Sequence, residues 1–92
     1  CLGVIASVSC SNEASPIRDD VQARAQAARC AIVERMQRAI DEGDFTIPVE
    51  AEAMTRYLLA LLQGISVQAG SGASRDELRR VADAALAIWP GR

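Results

Sequence analysis

The sequence predicts an all-α fold, arranged as an antiparallel helical domain of about four helices. Half of the 92 residues are hydrophobic but only three are aromatic, and the remainder is rich in Ala, Leu, Arg and Glu, which favour helices. Apolar residues recur at steps of three and four along most of the chain, which is the helical period. The length fits one domain, residues 1–92.

The first segment is a short apolar run, CLGVIASVSC, from Cys1 to Cys10. Periodicity does not separate a strand from a buried helix over so short a run. Since no other segment offers a strand to pair with, we predict a helix. The chain begins at Cys1 without an initiator methionine, so we expect this helix to be the tail of an element that starts upstream in a longer protein.

The second segment is a long helix that starts with Ser15 as N-cap and Pro16 as its first residue. Gly43 is predicted to end it in the left-handed C′ position. The helix then spans about 27 residues, or roughly 40 Å at 1.5 Å per residue. Two ion pairs between residues four apart are expected along it, Asp20–Arg24 and Glu34–Arg38.

The remaining segments are a turn and two further helices. The turn, Asp44 to Pro48, carries Phe45 and Ile47 as apolar anchors. The next helix is predicted over Glu50–Ala69, ending at a Gly-Ser-Gly sequence, and the last over Arg75–Trp89. Ser74 and Glu77 fit the capping box that opens such a helix.

The stretch Ala53–Ala69, AMTRYLLALLQGISVQA, is unusual because it is apolar or small nearly all round. One face forms a conventional core stripe, Met54, Tyr57, Leu58, Leu61 and Ile65. The other sides carry no charge from Tyr57 to Ala69. Such a helix must be covered on both sides, so we expect its own domain on one side and a partner chain on the other. A membrane span is excluded, since that needs roughly 20 apolar residues and Arg56 interrupts this stretch early.

Composition disfavours several function classes. Ten Arg, no Lys and twelve acidic residues give a net charge of −2, without the basic stripe of a nucleic-acid interface. There is no His, and Cys1, Cys10 and Cys30 form no metal-binding spacing. We therefore expect no catalytic set, no metal and no cofactor, and we interpret the cysteines as small buried hydrophobic residues in a reducing cytoplasm.

Three stretches together resemble the C-terminal domain of tetracycline-repressor (TetR) family transcription regulators. They are the opening CLGVIASVS, the end of the long helix in RAIDEGDF, and the block MTRYLLALLQGISVQAGSGASRDELRRVADAAL. The last block is the most specific, since it covers two helices and the Gly-rich turn between them. One departure is Glu50, at a place where the family usually has Asp.

The resemblance implies a cytoplasmic bacterial transcriptional repressor that works as a homodimer. In that family an N-terminal helix-turn-helix domain binds operator DNA, and the C-terminal domain encloses a small effector whose binding releases the DNA. The last two helices of each copy, here Glu50–Ala69 and Arg75–Trp89, form a four-helix bundle in the dimer. On this reading the DNA-binding domain is absent from the 92 residues, and no contact with a membrane is expected.

Two sets of site residues follow from these expectations. The predicted dimer interface, in which Gly64 allows close helix approach, is Ala60, Gln63, Gly64, Val67, Ala82, Ala85 and Trp89. The predicted wall of a pocket for a small apolar effector is Ile32, Met36, Tyr57 and Leu61, although ordinary core packing is the favoured interpretation of these four residues. The alternative function is a helical interaction module that dimerises without a ligand. The lack of His and of clustered acids argues against an enzyme or a metal protein.

Overall fold

The computed structural model describes residues 15–92 and shows them as three helices without a strand. Helix α1 is Ser15–Asp41, α2 is Ala51–Gly70 and α3 is Arg75–Ile88. The all-α prediction is confirmed for this range. The helix predicted in Cys1–Cys10 lies outside the described residues, so the fourth helix stays a prediction. None of these three helices is long and apolar enough to span a bilayer.

Helix α1 has the predicted length, and its end is set by Gly43. The φ angle of Gly43 is +77°, and the amide of Asp44 donates to the carbonyl of Ala39 at 2.9 Å, as in a Schellman motif. The Asp20–Arg24 ion pair is present at 3.0 Å. The predicted pairing of Arg38 with Glu34 is wrong, because Arg38 pairs with Glu42 at 2.8 Å. The carboxylates of Glu34 and Glu42 are each one helical turn from Arg38, and the Nε of Arg38 donates to that of Glu42.

Helices α2 and α3 begin and end within one residue of the prediction. After α2 the chain turns through Gly72, whose φ is +102°, and the amide of Ala73 donates to the carbonyl of Gln68 at 3.0 Å. Gly72 is therefore a second C′ residue of the Schellman type. Helix α3 ends at Ile88, since Trp89 already has extended backbone angles.

The predicted capping box at the start of α3 is confirmed. The Ser74 hydroxyl accepts a hydrogen bond from the Glu77 amide at 3.1 Å, and the Glu77 carboxylate accepts one from the Ser74 amide at 3.1 Å. These bonds, the one from the Ser74 backbone first, lower the pKa of Glu77 below its ordinary value of 4.5. The ionised form of Glu77 is therefore favoured by folding.

This cap gives α3 an acid-sensitive start. A carboxyl with a lowered pKa contributes stability that is complete above its ordinary pKa and is lost as the pH falls through its folded pKa. We expect the stabilisation of the fold by Glu77 to be complete above about pH 5. It is then lost progressively as the pH falls below 4.5 towards the lowered pKa of the folded chain. Thermal unfolding of the native chain and of Glu77→Gln, measured from pH 7 to pH 3, checks this. A stability difference between them that is independent of pH would contradict it.

The three helices form a thin layer with α2 between the other two. The described chain measures 47 × 31 × 13 Å with a radius of gyration of 15.6 Å, whereas a compact chain of this length has about 12 Å. The buried residues of the described range are only Met36, Ala51, Thr55 and Ala85. A layer little more than one helix thick leaves both of its faces largely uncovered.

The buried side of α2 differs from the predicted stripe at two positions. Tyr57, predicted in the core, is 43% exposed, while Thr55 is 0% exposed. The Thr55 hydroxyl donates to the carbonyl of Ala51 at 2.8 Å. Because a carbonyl of its own helix accepts the hydrogen bond of that hydroxyl, Thr55 packs like a small aliphatic residue. The most buried part of α2 is therefore at Thr55 and Ala51, and not at Tyr57 as predicted.

After α3, residues 89–92 form a strap that lies against the loop between α1 and α2. The amide and the hydroxyl of Thr46 both donate to the carbonyl of Pro90, at 2.8 and 3.0 Å. The amide of Arg92 donates to the carbonyl of Asp44 at 2.7 Å. A Cβ added to Gly91 would lie 2.8 Å from Cδ1 of Trp89, so glycine lets the strap pass close to the indole ring.

Candidate dimerisation surface and effector cleft

Helices α2 and α3 enclose an apolar groove, which we call the inner groove. Its lining residues are Leu58, Leu61, Leu62, Ile65, Ala82, Ala85, Leu86 and Trp89. Leu86, at its edge, is 73% exposed. Leu86 also lines a cleft together with Met36 of α1, so the inner groove opens on the same side of the layer as that cleft.

The opposite side of the α2–α3 pair is a second apolar surface. Residues two positions apart on a helix point about 200° apart, so Gly64 lies opposite Leu62 and Ile88 lies opposite Leu86. Ile88 is 74% exposed. Helical spacing places several small and apolar residues on this side, and we define them as the outer face: Ala60, Gly64 and Val67 on α2 and Val81, Ala84 and Ile88 on α3. At one flank of this face, Ala60 also lines a pocket with Arg56 and with Arg29 of α1.

The predicted interface residues fall into two groups. Ala60, Gln63, Gly64 and Val67 follow helical spacing along one side of α2, and all but the half-buried Gly64 are exposed. Ala82, Ala85 and Trp89 instead line the inner groove. The structure therefore does not bring the seven residues onto one surface of this chain.

Sequence reasoning did not assign the α3 residues of the outer face to the interface. Val81, Ala84 and Ile88 lie at steps of three and four, and Ala84 and Ile88 widen the apolar arc of α3 beyond an ordinary amphipathic stripe. This wider apolar arc was the feature of the sequence that could have indicated a second buried side of α3. Among residues 15–92, nothing fills the space beside Gly64, since a Cβ added there would meet no atom within 4 Å.

A cleft of about 700 Å³ opens between the second half of α1, the α1–α2 loop and the strap. Its lining residues are Arg35, Met36, Ala39, Asp44, Phe45, Leu86, Trp89, Gly91 and Arg92. The rings of Phe45 and Trp89 are 6.0 Å apart and inclined at 48°. On its other side Trp89 stacks with Tyr57, at 6.2 Å and 29°. The cleft thus has an apolar, partly aromatic floor and a charged rim.

The residues predicted for an effector pocket are spread over the molecule. Of the four, only the buried Met36 lines this cleft. Leu61 lines the inner groove, Ile32 is half-buried on α1, and Tyr57 is exposed behind Trp89. The aromatic pair of the cleft was not predicted because Phe45 and Trp89 are far apart in sequence and meet only through the strap.

Other chemistry is sparse in the described range. Within residues 15–92 no three His, Cys, Asp or Glu side chains come together as ligands for a metal ion. The prediction that the cysteines are buried is wrong for Cys30, which has a free, exposed thiol, while Cys1 and Cys10 lie outside the described residues. Comparison of the chain with protein-family models, with curated proteins and with solved structures found no match.

Proposed function

We propose that this chain is the dimerisation and effector-binding domain of a TetR-like bacterial transcriptional regulator. In that role a bound effector controls the binding of DNA by an N-terminal domain outside these 92 residues. The observation that carries the proposal is the outer face, a neutral surface of small and apolar residues on two adjacent helices. The sequence resemblance over the two helices that build this face supports the same assignment.

The argument for a partner is that the described residues, 15–92, leave apolar side chains of the outer face uncovered. Fully burying a side chain such as Ile or Val stabilises by about 1.5–3 kcal/mol relative to exposure. Ile88 and Val67 both remain exposed on the outer face. Monomeric proteins rarely expose a contiguous apolar patch of this kind without a binding role, so a second copy of the chain is the proposed cover.

The proposed assembly is a four-helix bundle with two-fold symmetry. In such a dimer the same patch of each copy meets itself, so α2 and α3 of one copy pack on α2 and α3 of the other. Ala60 and Gly64 carry the smallest side chains of the outer face, and they allow the two α2 helices to approach closely. Val67 and Ile88 then lose most of their exposure.

The dimer is tested with a matched pair of substitutions on α3. Leu86 and Ile88 are equally exposed, at 73% and 74%, but lie on opposite sides of the α2–α3 pair. We expect Ile88→Glu to shift sedimentation from twice the chain mass of 9.8 kDa towards the single mass, because it puts a charge into the interface. Leu86→Glu, on the inner side, is expected to leave the dimer intact.

Two results would overturn the proposed assembly. One is a native chain that sediments as a single copy at tens of micromolar. The other is a loss of dimer with Leu86→Glu while Ile88→Glu still dimerises, which would place the contact on the inner groove. Far-ultraviolet circular dichroism of each variant shows whether the helices persist, so loss of the fold is distinguished from loss of the interface.

A further inference from the structure

We infer that the cleft beside the strap binds a planar aromatic molecule that carries one negative charge. The ligand class comes from the lining residues, and its meaning as an effector rests on the proposed function. The volume of about 700 Å³ lies within the usual range for sites that hold small organic ligands. Such sites combine apolar walls with a few polar groups that fix orientation.

The floor of the cleft favours an aromatic ligand. The rings of Phe45 and Trp89 contact each other, with centroids 6.0 Å apart at 48°, and both residues line the cleft. The buried Met36 lines it as well. Aromatic groups gain from offset or edge contacts with such rings beyond the area they bury, and a thioether packs well against a ring. A flat ligand therefore makes more favourable contacts here than a branched one.

The rim of the cleft favours a negative charge. Two basic residues, Arg35 and Arg92, line the cleft together with one acidic residue, Asp44. Neither Arg35 nor Arg92 makes an ion pair with another residue of the described range. A guanidinium binds a carboxylate in a planar, two-point geometry, so an aryl carboxylate matches the floor and the rim together.

The backbone of the strap builds one wall of the site. The carbonyl of Pro90 is held by Thr46, and the amide of Arg92 is held by Asp44 at 2.7 Å. Gly91 lies so close to Trp89 that a Cβ would be 2.8 Å from the ring. The indole is thus fixed in place before a ligand arrives, which reduces the entropy lost on binding.

Trp89 is the only tryptophan of the chain, so its fluorescence reports directly on the cleft. We expect 2-naphthoate, a flat aromatic carboxylate, to change this fluorescence in a saturable way. 2-Naphthamide, which has a similar shape without the charge, is expected to bind roughly tenfold more weakly, the loss typical of one charge-assisted contact. Arg35→Gln and Arg92→Gln are expected to reduce the affinity for the carboxylate by a similar factor.

The matched control is Arg80→Gln, an equal change of charge at an exposed residue of α3 outside the cleft. It is expected to leave the affinity unchanged. The inference is overturned if the carboxylate gives no saturable change, if the carboxamide binds equally well, or if Arg80→Gln weakens binding as much as Arg35→Gln. Sedimentation of the same samples separates the two proposals: a dimer without ligand binding removes this inference alone, and a monomer that binds the ligand removes the dimer alone.

Discussion

Gly64→Leu is expected to weaken the dimer by one to two orders of magnitude and to leave the fold of the single chain intact. Within one copy the new side chain enters open space, because nothing lies within 4 Å of an added Cβ. In the proposed bundle the same position faces the partner, and overpacking a well-packed contact costs about 1–3 kcal/mol. The dissociation constant from sedimentation equilibrium measures the effect.

The same substitution is expected to have the opposite effect on the stability of the separated chain. Glycine inside a helix is about 1 kcal/mol less favourable than the best helix formers, so Gly64→Leu is expected to increase the helix content of the monomer. Gly70→Leu is the comparison for helix content alone, since Gly70 also has open space around it among the described residues and is the last residue of α2. An unchanged dimer in Gly64→Leu would show that the outer face is not the contact.

Trp89→Ala is expected to reduce the free energy of unfolding by about 3 kcal/mol, at the lower end of the range for removing a large aromatic side chain. Trp89 is half-buried, contacts the rings of Phe45 and Tyr57 and lines both the cleft and the inner groove. Few other residues of the layer are buried, so the loss is large compared with the 5–15 kcal/mol typical of a domain.

The measurement is urea unfolding followed by circular dichroism at one fixed protein concentration, because dimerisation makes the apparent stability depend on concentration. Trp89→Phe keeps a ring between Phe45 and Tyr57, and we expect it to lose about a third as much, close to the value of one aromatic pair. A loss below about 1 kcal/mol in Trp89→Ala would mean that the strap and its indole are not part of the stable structure.

The helices were predictable because their ends are encoded locally. Gly43 and Gly72 occupy the left-handed conformation, and Ser74 and Glu77 exchange two hydrogen bonds across three residues. Each signal lies within one turn of the helix end that it fixes. For that reason α2 and α3 were placed to within one residue without any knowledge of tertiary contacts.

The surfaces were harder to predict because they depend on contacts between distant residues. The strap reaches the α1–α2 loop through a bond between residues 44 positions apart, and no periodic pattern signals such a contact. The side of α2 that is buried includes Thr55 and leaves Tyr57 exposed. Thr55 can be buried because its hydroxyl donates a hydrogen bond to a carbonyl of its own helix. Consequently the α2 part of the proposed interface followed from the sequence, while its α3 part and the aromatic cleft required the structure.

The strap also has a mechanical consequence. Its backbone bonds, from Thr46 to Pro90 and from Arg92 to Asp44, join the end of α1 to the end of α3 without passing through α2. We therefore expect a displacement at the end of α1 to pull on the last turn of α3, where Ile88 lies, through these bonds. The strap is in this sense a direct connection between one edge of the layer and the surface at the other.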